Sequence, residues 1–232
     1  MRVVILTGAG ISAESGLPTF RDAHGLWEGH RPEEVATPEA FEADPLLVHR
    51  FYDARRAALA TVEPNAAHHA LARLEERLGD DYLLVTQNID DLHQRAGSRR
   101  IVPMHGRLRS SYCLHCGERS HWTATLADGP PCPACGVAAL RPDVVWFGEV
   151  PHGLDRIGKA IEHADLFVSI GTSGVVYPAA GLATAAHSAG ARTLELNLVP
   201  SDGVTVFDQA RHGPATELVP AWVDEVISRL PR

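Results

Sequence analysis

The residues whose type and spacing point most clearly to chemistry are four cysteines in two Cys-x-x-Cys pairs, Cys113 with Cys116 and Cys132 with Cys135. Fifteen residues separate the pairs, a spacing close to that of zinc ribbons, in which four thiolates hold one tetrahedral Zn²⁺. Four sulfur ligands leave no position for water, so the spacing predicts a structural ion and not a catalytic one. Disulfide bonds and free buried cysteines are the alternatives, and a reducing compartment disfavours the disulfides.

A second candidate site is the glycine-rich turn that follows the first apolar run. The apolar segment 3–6 leads into Gly8-Ala9-Gly10, a pattern typical of the strand, tight turn and helix start that bind a pyrophosphate. Glycines permit the turn and let backbone N–H groups approach the phosphate. A dinucleotide is therefore the indicated ligand. An ordinary strand-to-helix turn fits the same residues, because Leu17-Pro18 cuts the helix short where a usual dinucleotide unit continues.

Polar residues also follow three further apolar runs directly, at residues 87–90, at His105 and at residues 171–173. If the runs are parallel strands, their carboxyl ends share one edge of a sheet, where such sheets bind ligands. A histidine at that edge can act as a general base near neutral pH. Taken singly, His105 could instead cap a strand, and residues 87–90 could form a polar turn.

Helix and strand signals predict the elements that would hold these residues. Capping residues followed by proline, as in Thr37-Pro38 and Asp44-Pro45, start helices between residues 37 and 79. Strands and helices alternate on both sides of a turn-rich segment, which predicts an α/β fold with a doubly wound, Rossmann-like parallel sheet. The predicted domains are a Rossmann-like dinucleotide-binding domain of residues 1–30, 80–106 and 141–232, a helical insert of residues 31–79, and a zinc-binding insert of residues 107–140.

Composition narrows the classes of partner. The chain has 232 residues and a formal net charge of −8, and it has no basic cluster of the kind that binds nucleic acid or anionic membranes. No charged leader with an apolar run precedes the first strand, and no segment is long and apolar enough to span a membrane. We therefore expect a cytoplasmic protein, monomeric, with peptide or small-molecule partners.

Six blocks of the chain, in order, resemble the signature segments of the sirtuins. They are GAGISAESGLPTFR at 8–21, TQNIDDLH at 86–93, MHG at 104–106, the paired cysteines, VVWFGE at 144–149 and GTS at 171–173. The resemblance covers nearly the whole chain. It implies an NAD-dependent protein-lysine deacylase that transfers the acyl group to ADP-ribose and releases nicotinamide, with NAD as co-substrate and one structural Zn²⁺.

The resemblance also implies roles for single residues. His105 matches the general base that deprotonates an NAD ribose hydroxyl, and Asn88 and Asp90 match residues that hold the ribose and the nicotinamide carboxamide. Phe20 and Arg21 match a mobile loop over the cofactor. The implied catalytic residues are His105 and Asn88, and the implied NAD-binding residues are Gly8, Ala9, Gly10, Ile11, Ser12, Ala13, Glu14, Phe20, Arg21, Trp27, Gln87, Asn88, Ile89, Asp90, Gly171, Thr172, Ser173, Asn197, Leu198 and Ala215.

The expected substrate is acyl-lysine in a peptide or protein. The segment of Val144, Val145, Trp146, Phe147 and Gly148 resembles the edge to which the substrate peptide adds as a strand, main chain to main chain. Two of these residues would then help to wall the acyl-lysine tunnel, namely Trp146 and Phe147. The alternative for each aromatic residue is a plain core position.

One helix carries an anomaly that bears on the acyl group. Between residues 44 and 62, Tyr52 and Arg55 share a helical stripe with Val48, Leu59 and Val62, and a partly buried arginine needs an anion. An arginine that reaches solvent or pairs with a nearby acid is the alternative.

These two residues are similar to the Tyr-x-x-Arg element of the sirtuins that remove succinyl and malonyl groups, and Ala36 matches a small residue that leaves room for a longer acyl chain. We therefore predict deacetylase, desuccinylase and demalonylase activity. Two other readings stay open at this point, an ADP-ribosyltransferase that uses the same NAD site and a non-catalytic zinc-ribbon interaction module.

Overall fold

The computed structural model of the chain describes residues 1–19, 29–202 and 206–230. In these residues the strands are β1 (Val3–Thr7), β2 (Tyr82–Thr86), β3 (Ile101–Pro103), β4 (Gly106–Cys113), β5 (Arg119–His121), β6 (Leu140–Val144), β7 (Leu166–Ile170), β8 (Arg192–Asn197) and β9 (Gln209–His212). The α-helices there are α1 (Gly10–Ala13), α2 (Pro32–Val35), α3 (Pro38–Ala43), α4 (Pro45–Leu59), α5 (Ala66–Leu78), α6 (Leu92–Arg95), α7 (Leu154–Glu162), α8 (Gly181–Ser188) and α9 (Ala215–Arg229).

The larger sheet has six strands in the order β3-β2-β1-β7-β8-β9, and all of its pairs are parallel. Every residue of β1, β2 and β7 is buried, as expected for continuous apolar runs covered on both faces. The chain leaves β1 toward β2 and β3 on one side and returns to β7, β8 and β9 on the other. The predicted doubly wound fold is confirmed, and its topological switch point lies between β1 and β7.

Helices cover both faces of this sheet. On one face, α5 and α9 pack through residues such as Leu71, Leu74 and Val223. On the other face, α7 and α8 contribute Ile157 and Ala186 to a separate apolar cluster.

Helix α5 falls within the predicted helical insert of residues 31–79, but it belongs to the layer over the parallel sheet. The division into domains stays a prediction, and this packing favours ending the helical insert before Asn65.

A smaller module stands at the carboxyl edge of the parallel sheet. It contains an antiparallel sheet in the order β5-β4-β6 and the helices α2, α3 and α4. Val35, Val48, Tyr52 and Trp146 belong to the apolar cluster that joins the helices to this sheet. Gly106 pairs with Val144, so this sheet extends past both ends of the predicted insert 107–140. Strand β4 begins directly after His105, which in turn follows β3.

Two elements differ from the sequence expectation. Helix α4 ends at Leu59 with a tight last turn, in which Thr61 N–H donates to the Ala58 carbonyl, so Val62 lies beyond the helix and off the predicted stripe. Proline at position 64 disfavours helical backbone in the residue before it, which agrees with this early end. Strand β9 was not predicted because its residues are mostly exposed and polar. None of the helices in the described ranges is long and apolar enough to cross a membrane.

Candidate active site

Three glycines interlock at the switch point. Gly8 N–H donates to the Ile170 carbonyl at 3.0 Å, and Gly10 N–H donates to the Gly171 carbonyl at 2.9 Å. A Cβ on Gly10 would lie 2.7 Å from Gly171 Cα, and one on Gly171 would lie 2.5 Å from Ile11 N. Gly171 also has a φ of +61°, which side chains disfavour. The two loops can approach this closely only as glycines, which leaves a bare backbone cradle suited to a phosphate group.

A cavity of about 710 Å³ extends from this cradle into the smaller module. Two groups of predicted site residues line it, the NAD-binding set and the substrate-binding set. They are Gly8, Ala9, Gly10, Ser12, Ala13, Glu14, Ala36, Tyr52, Arg55, Gln87, Asn88, Ile89, Asp90, His105, Val144, Val145, Trp146, Phe147, Gly148, Gly171, Thr172, Ser173, Asn197, Leu198 and Ala215.

Four predicted site residues do not appear in that lining. The side chain of Ile11 is fully buried in the apolar core beside the sheet, so only its backbone is near the cradle. Phe20, Arg21 and Trp27 lie outside the described residues.

A buried polar cluster lies next to the cradle. Asn88 Nδ2 donates to Ser12 Oγ at 3.1 Å, and Ser12 Oγ donates to Asp90 Oδ2 at 3.0 Å. Asn88 N–H is bound to Thr86 Oγ1 at 3.1 Å. Burial raises the pKa of Asp90, while hydrogen bonds from Leu92 N–H and Ser12 oppose the rise. Asn88 and Asp90 are therefore held in place by residues from two different strand ends.

His105 follows β3 and borders the same cavity. Its Nδ1 lies 3.1 Å from the Gln87 carbonyl oxygen. A carbonyl can only accept, so this contact assigns the proton to Nδ1 and leaves the lone pair on Nε2. Burial lowers the pKa of His105, which keeps the ring neutral at pH 7. The imidazole is thus in the form that can accept a proton.

The far end of the cavity is lined by Tyr52 and Arg55, the two residues predicted to bind the acyl group. The phenol of Tyr52 is fully buried, burial raises its pKa, and its Oη accepts a hydrogen bond from Trp146 Nε1 at 3.0 Å. Arg55 is half-buried, with Cζ 5.7 Å from the Phe51 ring centroid. Ala36 is buried nearby, and its carbonyl accepts from Phe147 N–H at 2.9 Å. Among the residues that the structure describes, this end of the cavity therefore combines aromatic walls with the guanidinium of Arg55.

The segment predicted to bind the peptide leaves an edge strand. Strand β6 ends at Val144, and among the described strands it pairs with β4 alone. Beyond it, Val145 N–H donates to the His105 carbonyl at 2.9 Å, which ties the segment to the candidate base. Trp146 is buried, whereas Phe147 is 44 % exposed. Of these two aromatic residues, Trp146 is therefore the one that is shielded from solvent, as a residue of a tunnel wall would be.

The four cysteines form a separate cluster on the antiparallel sheet. Their sulfur atoms all lie within 4.8 Å of one another, with Cys113 to Cys135 and Cys116 to Cys132 both at 3.8 Å. Zn–S bonds of about 2.3 Å in a regular tetrahedron separate sulfurs by about 3.8 Å. The cluster fits a structural zinc, away from the cavity.

Sequence reasoning missed the residues that brace the opposite end of the cavity. Ser201 Oγ bonds to the buried carboxylate of Glu195 and donates to the Thr172 carbonyl at 3.3 Å. The same carbonyl accepts from Nδ2 of Asn197 at 2.8 Å, and both Thr172 and Asn197 were predicted. Ser201 follows β8 by four residues, but the intervening Leu-Val-Pro hides it from a search for polar residues directly after strands.

Glu14, predicted to contact NAD, bonds through its carboxylate to Thr216 N–H at 2.9 Å and to Thr216 Oγ1 at 2.6 Å. Its carboxylate therefore ties α1 to the start of α9.

Comparison with known proteins agrees with this geometry. The Sir2 family model matches residues 8–178. The chain is 54% identical over 232 residues to the NAD-dependent protein deacylase of Salmonella typhimurium, covering 99% of this chain and 85% of that protein.

Two solved structures are also similar. A Sir2 homologue in complex with NAD superposes with a TM-score of 0.90 at 42% identity, covering 99% of this chain and 91% of the other. A Sir2 variant with a deacetylated peptide and 3′-O-acetyl ADP ribose has a TM-score of 0.85 at 30% identity, over 97% and 94% of the two chains. A family model that covers most of the chain, together with relatives this close in sequence and fold, shows that the chain belongs to the Sir2 family.

Proposed function

We propose that this protein is an NAD-dependent protein-lysine deacylase, which transfers the acyl group from lysine to ADP-ribose and releases nicotinamide. The observation that carries the proposal is the continuous cavity, because it joins a phosphate cradle, a neutral histidine and an acyl-sized chamber. The relative from Salmonella typhimurium bears the name of this activity at 54% identity. A substrate in such a cavity would reach the cofactor and the base from one side.

The residues present fit NAD as co-substrate. Gly8, Gly10 and Gly171 line the cavity with backbone alone, and their loops pack too closely for a Cβ at any of the three. Thr172, Ser173, Asn197, Leu198 and Ala215 supply the walls on the adenosine side. NAD supplies an anomeric carbon with nicotinamide as its leaving group. Asn88 and Asp90, held by Ser12, would orient the ribose and the carboxamide, and their fixed positions reduce the entropy lost on binding.

His105 is the proposed general base. Because Nδ1–H is donated to the Gln87 carbonyl, Nε2 can take a proton from a ribose hydroxyl. The lowered pKa keeps that nitrogen unprotonated at physiological pH. Loss of the base should reduce deacylation strongly while NAD binding persists, because the cradle and the adenosine walls do not involve His105.

We further propose that the peptide adds beside the segment that follows β6, so that main-chain pairing positions the acyl-lysine with little demand on flanking sequence. Proteins that carry acyl-lysine would then be the substrates. A net charge of −8 does not favour nucleic acid as a partner. A four-thiolate zinc site suits a reducing compartment, which supports a cytoplasmic location. The oligomeric state stays a prediction.

For the acyl group, we propose that Arg55 and Tyr52 favour succinyl and malonyl over acetyl. The guanidinium can bind a distal carboxylate through two N–H groups, and Ala36 leaves space for the longer chain. A charge-assisted hydrogen bond contributes about 1.5–3 kcal/mol, or about 10- to 100-fold in kcat/KM. Acetyl-lysine still fits the chamber, so deacetylation remains part of the proposed activity.

The experiment compares one peptide that carries acetyl-lysine or succinyl-lysine, with NAD, in the wild type and in Arg55→Met. Arg50→Met is the matched control, since Arg50 lies on the same helix and is exposed. We expect the succinyl preference to collapse only in Arg55→Met. An equal fall in both activities would contradict the acyl assignment, and a wild type inactive on both peptides would contradict the deacylase function.

A further inference from the structure

We propose that Arg141, which is not among the residues lining the cavity, is a positioning residue for acyl selectivity. It holds Trp146, and Trp146 in turn holds Tyr52. The inference rests on the proposed deacylase function. In it, Arg141 acts through Trp146 and Tyr52 and does not contact the substrate. Three contacts carry it, each between side chains that are largely buried.

The first contact is a closed fork between Arg141 and Glu149. Arg141 is 8% exposed, and it donates from Nη1 to Glu149 Oε1 at 2.7 Å and from Nη2 to Oε2 at 2.9 Å. Nη2 also donates to the Val144 carbonyl at 2.8 Å. Such a planar, two-pronged pair fixes orientation as well as distance, which a lysine cannot reproduce.

The second contact fixes the indole of Trp146. The Arg141 guanidinium carbon lies 3.5 Å from the centre of the Trp146 ring, within the range of a strong cation–π interaction. Glu149 Oε2 accepts the Trp146 backbone N–H at 2.8 Å, and Glu149 N–H donates back to the Trp146 carbonyl at 3.0 Å. Phe41 packs against the indole with ring centres 5.2 Å apart. The ring and its backbone are therefore held from several directions.

The third contact is the hydrogen bond that links the Trp146 indole to Tyr52. An indole N–H can only donate, so the 3.0 Å contact makes Tyr52 Oη the acceptor. That contact fixes the position of the phenol oxygen at the end of the cavity. A succinyl carboxylate can accept from the Tyr52 O–H, whereas an acetyl methyl group cannot. Disorder in Trp146 should therefore weaken succinyl recognition more than acetyl recognition.

The test measures kcat/KM for succinyl and acetyl forms of one peptide, with wild-type protein and with Arg141→Lys, each also in a Tyr52→Phe background. Arg119→Lys is the control, because Arg119 is a half-exposed arginine paired with Asp143 on the same antiparallel sheet. We expect Arg141→Lys to lower the succinyl-to-acetyl ratio about fivefold, the value of one net hydrogen bond. We expect no further fall in the Tyr52→Phe background, and we expect the KM for NAD to stay unchanged.

Trp146→Phe gives a second route if Arg141→Lys folds poorly, since it removes the indole N–H and keeps an aromatic wall. It should lower the same ratio, again only when Tyr52 is present. A ratio that is unchanged in both variants, or that falls equally with and without the Tyr52 hydroxyl, would overturn the positioning role. Loss of both activities in the wild type would instead overturn the proposed function, and the positioning role with it.

Discussion

Replacing Gly10 with alanine should separate the two loops that form the phosphate cradle. The added Cβ would lie 2.7 Å from Gly171 Cα and 2.8 Å from Gly171 O, whereas carbon atoms in contact prefer about 3.5–4.0 Å. The loops must therefore move apart by about 1 Å. Both contacts are with backbone atoms, which cannot rotate away as a flexible side chain can. Overpacking of this kind destabilises a protein by about 1–3 kcal/mol.

The chain offers a matched control in Gly158→Ala. Gly158 lies within α7, and a Cβ there meets no atom within 4 Å. Alanine is favoured over glycine inside a helix by about 1 kcal/mol. The same chemical change should therefore destabilise the fold at Gly10 and stabilise it at Gly158.

Thermal unfolding and NAD kinetics test this pair together. For a chain of this length, 1 kcal/mol shifts Tm by about 2 °C, so we expect a fall of about 2–6 °C for Gly10→Ala and a rise of about 2 °C for Gly158→Ala. A displacement near 1 Å at a reacting site lowers rate on the order of 100-fold, so kcat/KM for NAD should fall in Gly10→Ala alone. Equal Tm and equal NAD kinetics in the two variants would refute the interlocked-glycine interpretation.

Three further predictions concern stability, the pH response and zinc. Arg56 is buried and bonded to Asp53, so Arg56→Met should lower the free energy of unfolding in urea titrations by about 3–5 kcal/mol. Arg31→Met, at an exposed pair, should leave the urea midpoint nearly unchanged. Burial lowers the pKa of His68 to about 3, so below about pH 6.5 the unfolded chain binds a proton at this residue that the folded chain does not. The free energy of unfolding should therefore keep its full His68 contribution above about pH 6.5 and fall as the pH is lowered toward about 3. His68→Gln should make the free energy of unfolding less dependent on pH in this range. Cys132→Ser should release zinc, measured by metal analysis, and unchanged zinc content would contradict the four-sulfur site.

The centre of the parallel sheet can be predicted from sequence because β1, β2 and β7 are short, mostly apolar runs. Burial on both faces leaves no alternation to obscure the pattern in Val3–Thr7 or Leu166–Ile170. The clustering of Asn88 and His105 is also predictable, since polar residues that follow parallel strands must meet at one edge. The cysteine geometry follows from spacing alone, because each Cys-x-x-Cys pair can place two sulfurs on one ion.

The rest of the site depends on contacts between distant segments. The Trp146–Tyr52 hydrogen bond joins residues 94 positions apart, and no local pattern indicates that the two side chains meet. In the sequence, Arg56 is one of two adjacent arginines on α4. In the structure it is buried and donates to the carbonyls of Leu108 and Ala124. Strand β9 has no apolar pattern, since it pairs at an exposed edge where main-chain hydrogen bonds alone define it.

The most direct test of the central claim is the identity of the products formed from NAD and an acyl-lysine peptide. Mass spectrometry of one reaction should show deacylated peptide, nicotinamide and O-acyl-ADP-ribose in equal amounts, and none of them without NAD. Free carboxylic acid formed without consumption of NAD would contradict the account. So would a peptide that carries ADP-ribose and keeps its acyl group, because the cavity would then serve an ADP-ribosyltransferase.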